Sequence, residues 1–335
     1  MKLRRSALGE PGISRRRRGR GFSYGAPSGA RLTDPETLAR IKRLVIPPAW
    51  RDVWISPDPH GHVQAVGTDD AGRKQYLYHA EWRRRRDEEK HDRVLAMARR
   101  LPEWRRQIDA DLAGRGLTER RVLAAALRML DRGIFRTGGE EYAEENGTHG
   151  VATLLREHAR IRGDACVFEY PAKGGLHRSV CISDEALVGV VRALLRADPG
   201  NDRLLVYRTR DGWREIHADA VNERFKELAG NGCTAKDLRT WNATVLAATA
   251  FAATGPAQSQ RAGKRHEAAV MREVSEALGN TPAVCRASYV DPRIVSAYRD
   301  ASTIEPALRR AGRLDGEDAR EVLERATIRL LSRHS

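Results

Sequence analysis

The chain has 335 residues, enough for about two domains and a substantial core. Its 60 lysines and arginines against 45 acidic residues give a formal charge of +15. That bias asks for a polyanionic partner: DNA most simply, with RNA or an anionic membrane surface as the alternatives.

Other classes are excluded by what the chain lacks. No segment approaches the ~18 consecutive apolar residues of a membrane span, and the basic N-terminus has no apolar stretch of a secretory signal. Cys166, Cys181, Cys233 and Cys285 are widely spaced without a C-x-x-C pair, which reads as free thiols in a reducing compartment. The ten histidines form no H-E-x-x-H motif, and no Walker A sequence is present.

Residues 1–31 are rich in Arg, Gly and Ser, with a run from Arg15 to Arg18, and are expected to be a disordered basic tail. Such a tail would add salt-sensitive attraction to DNA, or serve only solubility. Asp34–Leu44 predicts a short helix, with Thr33 or Asp34 as cap and Pro35 at the first position. The stretches around Trp50–Ile55, His62–Val66 and Tyr76–Tyr78 alternate and read as antiparallel strands. Within Asp70–Tyr78, Arg73 and Lys74 fall on a turn, and Gln75, Tyr76 and Tyr78 on a strand. Cations grip phosphates, Gln reads base edges and Tyr stacks, although an ordinary exposed strand edge would look the same. Ala80–Arg100 is densely charged at helical spacing, a solvated helix near the domain junction. The expected division is therefore a tail (1–31), a β-rich N-terminal domain (32–90) and a mainly helical domain (91–335).

After the junction a helix is predicted over Glu119–Asp131, capped by Thr118, leading to Arg136 and a Gly138–Gly139 bend. By itself Arg136 could simply face a helix C-terminus. Cys166–Tyr170 and Arg178–Ile182 read as a hairpin with Lys173 at its tip, where a lysine is ordinarily inert. Amphipathic helices are predicted over Asp184–Arg196 and His217–Leu228, with a short strand at Leu204–Tyr207. Thr234 and Asp237 form a capping box for a helix from about Ala235 to Ala253, with Arg239 near its positive end. A helix over Gln260–Leu278 ends at Gly279, and Thr281-Pro282 opens another that carries Tyr289 about two turns in. Asn280 lies on the bend between them.

Two of these segments, K-D-L-R-T-W-N-A-T from Lys236 and G-N-T-P-A-V-C-R-A-S-Y ending at Tyr289, closely resemble the catalytic segments of type IB DNA topoisomerases, the small poxvirus-like bacterial branch in particular. F-R-T-G-G-E-E-Y from Phe135 resembles the family's first catalytic block, and Asp70–Tyr78 the segment that it presses into the DNA major groove. The resemblance covers most of Leu32–Tyr298. It implies an α+β architecture, a small β-rich domain followed by a mainly α-helical catalytic domain with a small β-hairpin sheet, together clamping duplex DNA. Arg136 and Arg239 would bind the scissile phosphate, Tyr289 would be the nucleophile and Lys173 the general acid. Arg73, Lys74, Gln75, Tyr76, Tyr78 and Tyr142 would contact DNA. The family usually has His where this chain has Asn280, which can donate a hydrogen bond but cannot ionise.

The residue types suit that chemistry. A phosphodiester resists attack because its oxygens are negative, so fixed cations must gather around it in the transition state. Arginines supply permanent charge in a bidentate fork. A tyrosine, with an unperturbed pKa of about 10, needs such surroundings to lose its proton. The departing sugar oxygen needs an acid. The resemblance further implies a 3′-phosphotyrosyl intermediate, strand rotation and religation without ATP, cofactor or obligatory metal, in a cytoplasmic, nucleoid-associated monomer. Two other readings remain: a tyrosine recombinase, which usually has H-x-x-R where this chain has Lys236-x-x-Arg239, and a non-catalytic basic DNA-binding protein.

Overall fold

The computed structural model describes residues 2–140, 143, 147–230 and 232–334. The chain divides into two compact units, Met1–Lys90 and His91–Ser335.

The first unit is a five-stranded antiparallel sheet with one helix. Its strands are β1 (Ile13–Arg18), β2 (Gly21–Gly25), β3 (Arg51–Ile55), β4 (Val63–Thr68) and β5 (Lys74–Tyr78), in the order β2-β1-β3-β4-β5. Helix α1 (Pro35–Arg43) starts where Asp34 accepts a hydrogen bond from the Thr37 N–H and Pro35 takes the first position. The register pairs Ile13 with Ile55, Ile55 with Ala65 and Ala65 with Leu77. That row, with Val53 of β3 and Ile41 of α1, forms the unit's apolar core.

Residues 1–31 were expected to be a disordered tail, but within them β1 and β2 form an ordered hairpin on the sheet. Alternation is the physical reason. Ile13 is buried, and Arg15 turns to the same side and donates to the carbonyls of Ile46, Pro47 and Trp50 while its guanidinium lies 4.2 Å from the Phe22 ring centroid. A run of arginines hides this pattern, because Arg15 is half-buried and bonded to the backbone while Arg16, Arg17 and Arg18 are exposed.

The second unit is mainly helical. It contains α2's C-terminal turns (α2 is Ala80–Ala98), α3 (Leu101–Leu112), α4 (Glu119–Gly133), α5 (Glu185–Arg196), α6 (Ala218–Ala229), α7 (Ala235–Thr254), α8 (Gln260–Leu278), α9 (Pro282–Ser288), α10 (Pro292–Arg299), α11 (Glu305–Ala311) and α12 (Gly316–Arg333). Strands β6 (Ala159–Arg162), β7 (Ala165–Ala172) and β8 (Leu176–Ser183) make an antiparallel sheet, and β9 (Val206–Thr209) pairs with β10 (Gly212–Glu215). The expected α+β architecture is therefore present, with β6 and β10 added to what the sequence suggested. No helix among the described residues is long and apolar enough to cross a membrane.

Helices α4 and α7 are central. Val122 through Asp131 of α4 are all buried, as are Leu238 through Thr244 of α7. Their small residues, Ala124–Ala126 and Ala243, let neighbouring elements approach closely. A buried ionic cluster joins them to the last helix. Arg105 of α3 and Arg320 of α12 both bind the Asp131 carboxylate, Glu324 binds Arg105, and the Asp131 carbonyl accepts from Asn242 Nδ2 of α7.

Candidate active site

Arg239 lies in the second turn of α7, whose start is set by the Thr234–Asp237 capping box. Its side chain is 3% exposed. It donates Nη1 to the Ile134 carbonyl and Nη2 to the Leu278 carbonyl at 2.9 Å. These carbonyls stand at the C-terminal ends of α4 and α8, where helix acceptors lack partners and carry partial negative charge. Arg239 thereby ties two helix ends together. Ile134 adopts φ 52°, a left-handed conformation that costs a β-branched residue about 1–3 kcal/mol. The strain turns the chain sharply out of α4 toward Arg136.

Arg136 donates Nη2 to the Gly279 carbonyl at 3.3 Å and to Asn280 Oδ1 at 2.6 Å. Behind it, Gly138 and Gly150 touch through their backbones: a Cβ on Gly150 would sit 2.5 Å from the Gly138 Cα and 2.7 Å from the Arg136 carbonyl. The Val151 N–H donates to that carbonyl at 2.8 Å. No larger residue fits this crossing, which fixes the backbone that carries Arg136.

A third guanidinium joins them. Arg178 of β8, paired across the hairpin with Tyr170, donates Nη2 to the Ala277 carbonyl at 2.9 Å. Burial, and secondarily Arg136, pushes its pKa down, opposed by the Tyr170 phenol. Nothing in the sequence singled it out; a strand arginine opposite a tyrosine is a weak signal.

Tyr289 does not lie within a helix, as the sequence suggested, but directly after the last turn of α9 as its C-cap. Thr281 and Pro282 start that helix, and the N–H groups of Tyr289 and Val290 both donate to the Cys285 carbonyl. The Tyr289 carbonyl accepts from Thr244 Oγ1 of α7 at 3.3 Å, and Thr244 in turn accepts from the Asp291 N–H. The phenol ring is 7% exposed, and the Arg239 guanidinium lies 5.6 Å from its centroid. Burial by itself would raise the phenol's pKa. The charges of Arg239 and Arg136 and their hydrogen bonds outweigh it, and the net shift is downward from 10. Burial and then Arg136 lower Arg239 to about 10, so it stays charged at neutral pH.

Two buried donors here, Arg239 Nε and Asn280 Nδ2, meet no oxygen acceptor among the described residues, and the Asn280 side chain has only the Cys285 thiol, a weak partner, beside it. The described hydrogen bonds of Arg136, Arg178 and Arg239 go to carbonyl or amide oxygens and, from Arg136 and Arg239, to the Tyr289 phenol, and none to a carboxylate. Arg136 and Arg239 flank the Tyr289 phenol, with Arg178 next to them, and such a grouping of cations and donors is chemically suited to an anion.

The structure thus brings together Arg136, Arg239, Asn280 and Tyr289. Lys173 is exposed on the turn between β7 and β8, where Gly174 and Gly175 have positive φ. It stands three residues beyond Tyr170, up to about 10 Å farther along the hairpin. In the first unit, Lys74, Tyr76 and Tyr78 are exposed, and the two tyrosine rings stack with centroids 6.1 Å apart. Arg73 and Gln75 are instead both bonded to the Asp69 carboxylate. Tyr142 lies outside the described residues.

Residues 21–69 match the N-terminal domain family of bacterial DNA topoisomerase IB. Residues 79–307 match the family described as the catalytic core of eukaryotic DNA topoisomerase I. The chain is similar to DNA topoisomerase 1B of Acanthamoeba polyphaga mimivirus, 27% identical over 86% of this chain and 88% of that protein. It is 24% identical to DNA topoisomerase 1B of Vaccinia virus (strain Copenhagen) over 72% of this chain and 74% of the relative. DNA topoisomerase 1 beta of Arabidopsis thaliana is 26% identical over 48% of this chain and 16% of its own length. With a catalytic-core match spanning well over half its length, the chain belongs to the type IB DNA topoisomerase family.

Proposed function

We propose that this protein relaxes supercoiled duplex DNA as a monomer of the small poxvirus-like bacterial branch, in the cytoplasm and at the nucleoid, by reversible cleavage of one strand. The Tyr289 oxygen, its proton released to water as Arg136 and Arg239 favour the phenolate, attacks the phosphorus of a backbone phosphodiester. The bond from phosphorus to the 5′ oxygen breaks, and Lys173, carried in on its hairpin, gives that oxygen a proton. One strand is left joined through its 3′ phosphate to Tyr289, with a free 5′ hydroxyl on the other side. The phosphotyrosyl linkage keeps the bond energy, so after rotation the hydroxyl attacks back, without ATP or an obligatory metal.

The observation that carries this reading is the pair of orphan donors, Arg239 Nε and Asn280 Nδ2, buried beside a phenol whose proton two guanidiniums loosen. A buried cation without a counter-ion costs several kcal/mol, and a site keeps such a cost when a ligand removes it. The non-bridging phosphate oxygens are acceptors of the right charge and number for Arg136, Arg239 and Asn280. For DNA contact we assign Arg73, Lys74, Gln75, Tyr76, Tyr78 and Tyr142. Plasmid relaxation in EDTA without nucleotide tests the reading. The wild type should relax supercoiled circles and Tyr289→Phe should not; circles left untouched by the wild type would refute it.

A further inference from the structure

The register of the N-terminal sheet separates its two faces. The row Ile13–Ile55–Ala65–Leu77 turns to α1 and the core. The neighbouring row, Ser14–Trp54–Val66–Tyr76, turns the other way. Because side chains alternate along a strand, Lys74 and Tyr78 share this outer face with Tyr76, and Arg16 and Arg18 share it with Ser14. Arg16, Arg18 and Lys74 are exposed, and Tyr76 and Tyr78 are 39% and 41% exposed; Arg17 is exposed as well, so parity along the strand, not exposure, sets it apart. Arg15 and Arg17 fall on the opposite parity, and Arg15 is held by backbone carbonyls. No carboxylate among the described residues pairs with Arg16 or Arg18, whereas Arg73 is paired with Asp69.

The spacing across the sheet is informative. Strand β1 lies three strands from β5. At about 4.8 Å per strand, Ser14 stands roughly 14 Å from the Tyr76 position in the same row, and Arg16, two residues along β1, roughly 16 Å. The major groove of B-DNA is about 12 Å wide. A duplex that places one groove against β5 therefore presents the next line of backbone phosphates to the β1–β2 hairpin.

We propose that Arg16 and Arg18 form a second duplex-DNA contact that grips backbone phosphates one groove width from the tyrosine pair. The contact is sequence-independent and enlarges the footprint of the same sheet face. It rests on the reading of the protein as a duplex-binding enzyme. Arginine on a strand suits the task, since its fork is pre-organised for a phosphate and its backbone is held by pairing with β2, Arg16 opposite Ser23 and Arg18 opposite Gly21.

The test is the salt dependence of binding to a short blunt duplex, with the full chain carrying Tyr289→Phe so that no cleavage intervenes. Each phosphate contact contributes about 0.9 to the slope of log affinity against log salt. Arg16→Ala with Arg18→Ala should reduce the slope by about 1.8 and leave the melting temperature unchanged. Arg16→Lys with Arg18→Lys should restore most of it. Arg17→Ala, on the other face, should leave the slope within about 0.3 of its starting value, a third of one contact. An unchanged slope in the double alanine variant overturns the proposal, as does an equal loss from Arg17→Ala. If the unaltered face binds no duplex at all, the duplex-binding reading falls with it.

Discussion

At Arg239 the protein buries a permanent charge among carbonyls and a phenol ring, with no described carboxylate to balance it. A preorganised cation of this kind acts when a phosphorane's charge develops, and removing one such donor typically costs about 10²–10³ in rate. Arg239→Ala should lower single-turnover cleavage by that factor. Asn280 supplies one neutral donor, worth about 1 kcal/mol, so Asn280→Ala should cost only about fivefold to tenfold. Quenched-flow cleavage rates decide the order; an inactive Asn280→Ala beside a merely slowed Arg239→Ala would reverse it. The phenol offers a pH test. Cation charge favours phenolate, so the Tyr289 titration, read as the ultraviolet difference between wild type and Tyr289→Phe, should have its midpoint below 10. In Arg239→Gln the midpoint should move upward, and a midpoint unmoved would mean that the guanidinium does not act on the phenol. Arg136, Arg239, Asn280 and Tyr289 could be picked out together because three segments resembled a known pattern. Arg178 could not, since its role comes from the pairing of β7 with β8 and the Ala277 carbonyl beyond, which no local sequence expresses.

Helix boundaries were the most legible elements, because caps are local chemistry: Asp34, Thr118, Asp184, Thr234 with Asp237, and Thr281 with Pro282 each start a helix where a side-chain oxygen meets free N–H groups. The β1–β2 hairpin was not legible, since consecutive arginines erase the contrast that marks a strand with one buried face. In the last helix the leucines Leu323, Leu330 and Leu331 fall at helical spacing, but nothing in its sequence expresses what it does. Arg320 of α12 and Arg105 of α3 clasp Asp131 at the end of α4, just before Ile134 and Arg136. Burial would raise the Asp131 pKa, but Arg320 and Arg105 hold it well below the usual carboxylate range. Its contribution to stability is therefore complete above about pH 4, the unfolded value, and is lost as pH falls toward the folded one. Asp131→Asn should destabilise the protein by about 3–5 kcal/mol at neutral pH, as breaking a buried pair does, and flatten the acid limb of its stability curve. Denaturant unfolding across that pH range measures both, and a loss under 1 kcal/mol would show the cluster to be dispensable.

For the whole molecule, the charge of +15 acquires a distribution. Part of it is internal, as at Arg15, Arg105 and Arg320; part gathers around Tyr289; and part lies on the outer face of the N-terminal sheet. Composition alone pointed to a polyanion and could not separate these uses, because burial and pairing depend on contacts distant in sequence. The central claim is that the Tyr289 oxygen exchanges with a sugar oxygen on phosphorus. Its most direct measurement is rapid denaturation of the protein on a strand-labelled duplex, followed by mass spectrometry of the DNA-linked peptide. The account predicts a 3′-phosphate joined to the peptide that contains Tyr289, and no adduct from Tyr289→Phe. An adduct at another residue, a 5′ linkage, or none from the wild type would contradict it.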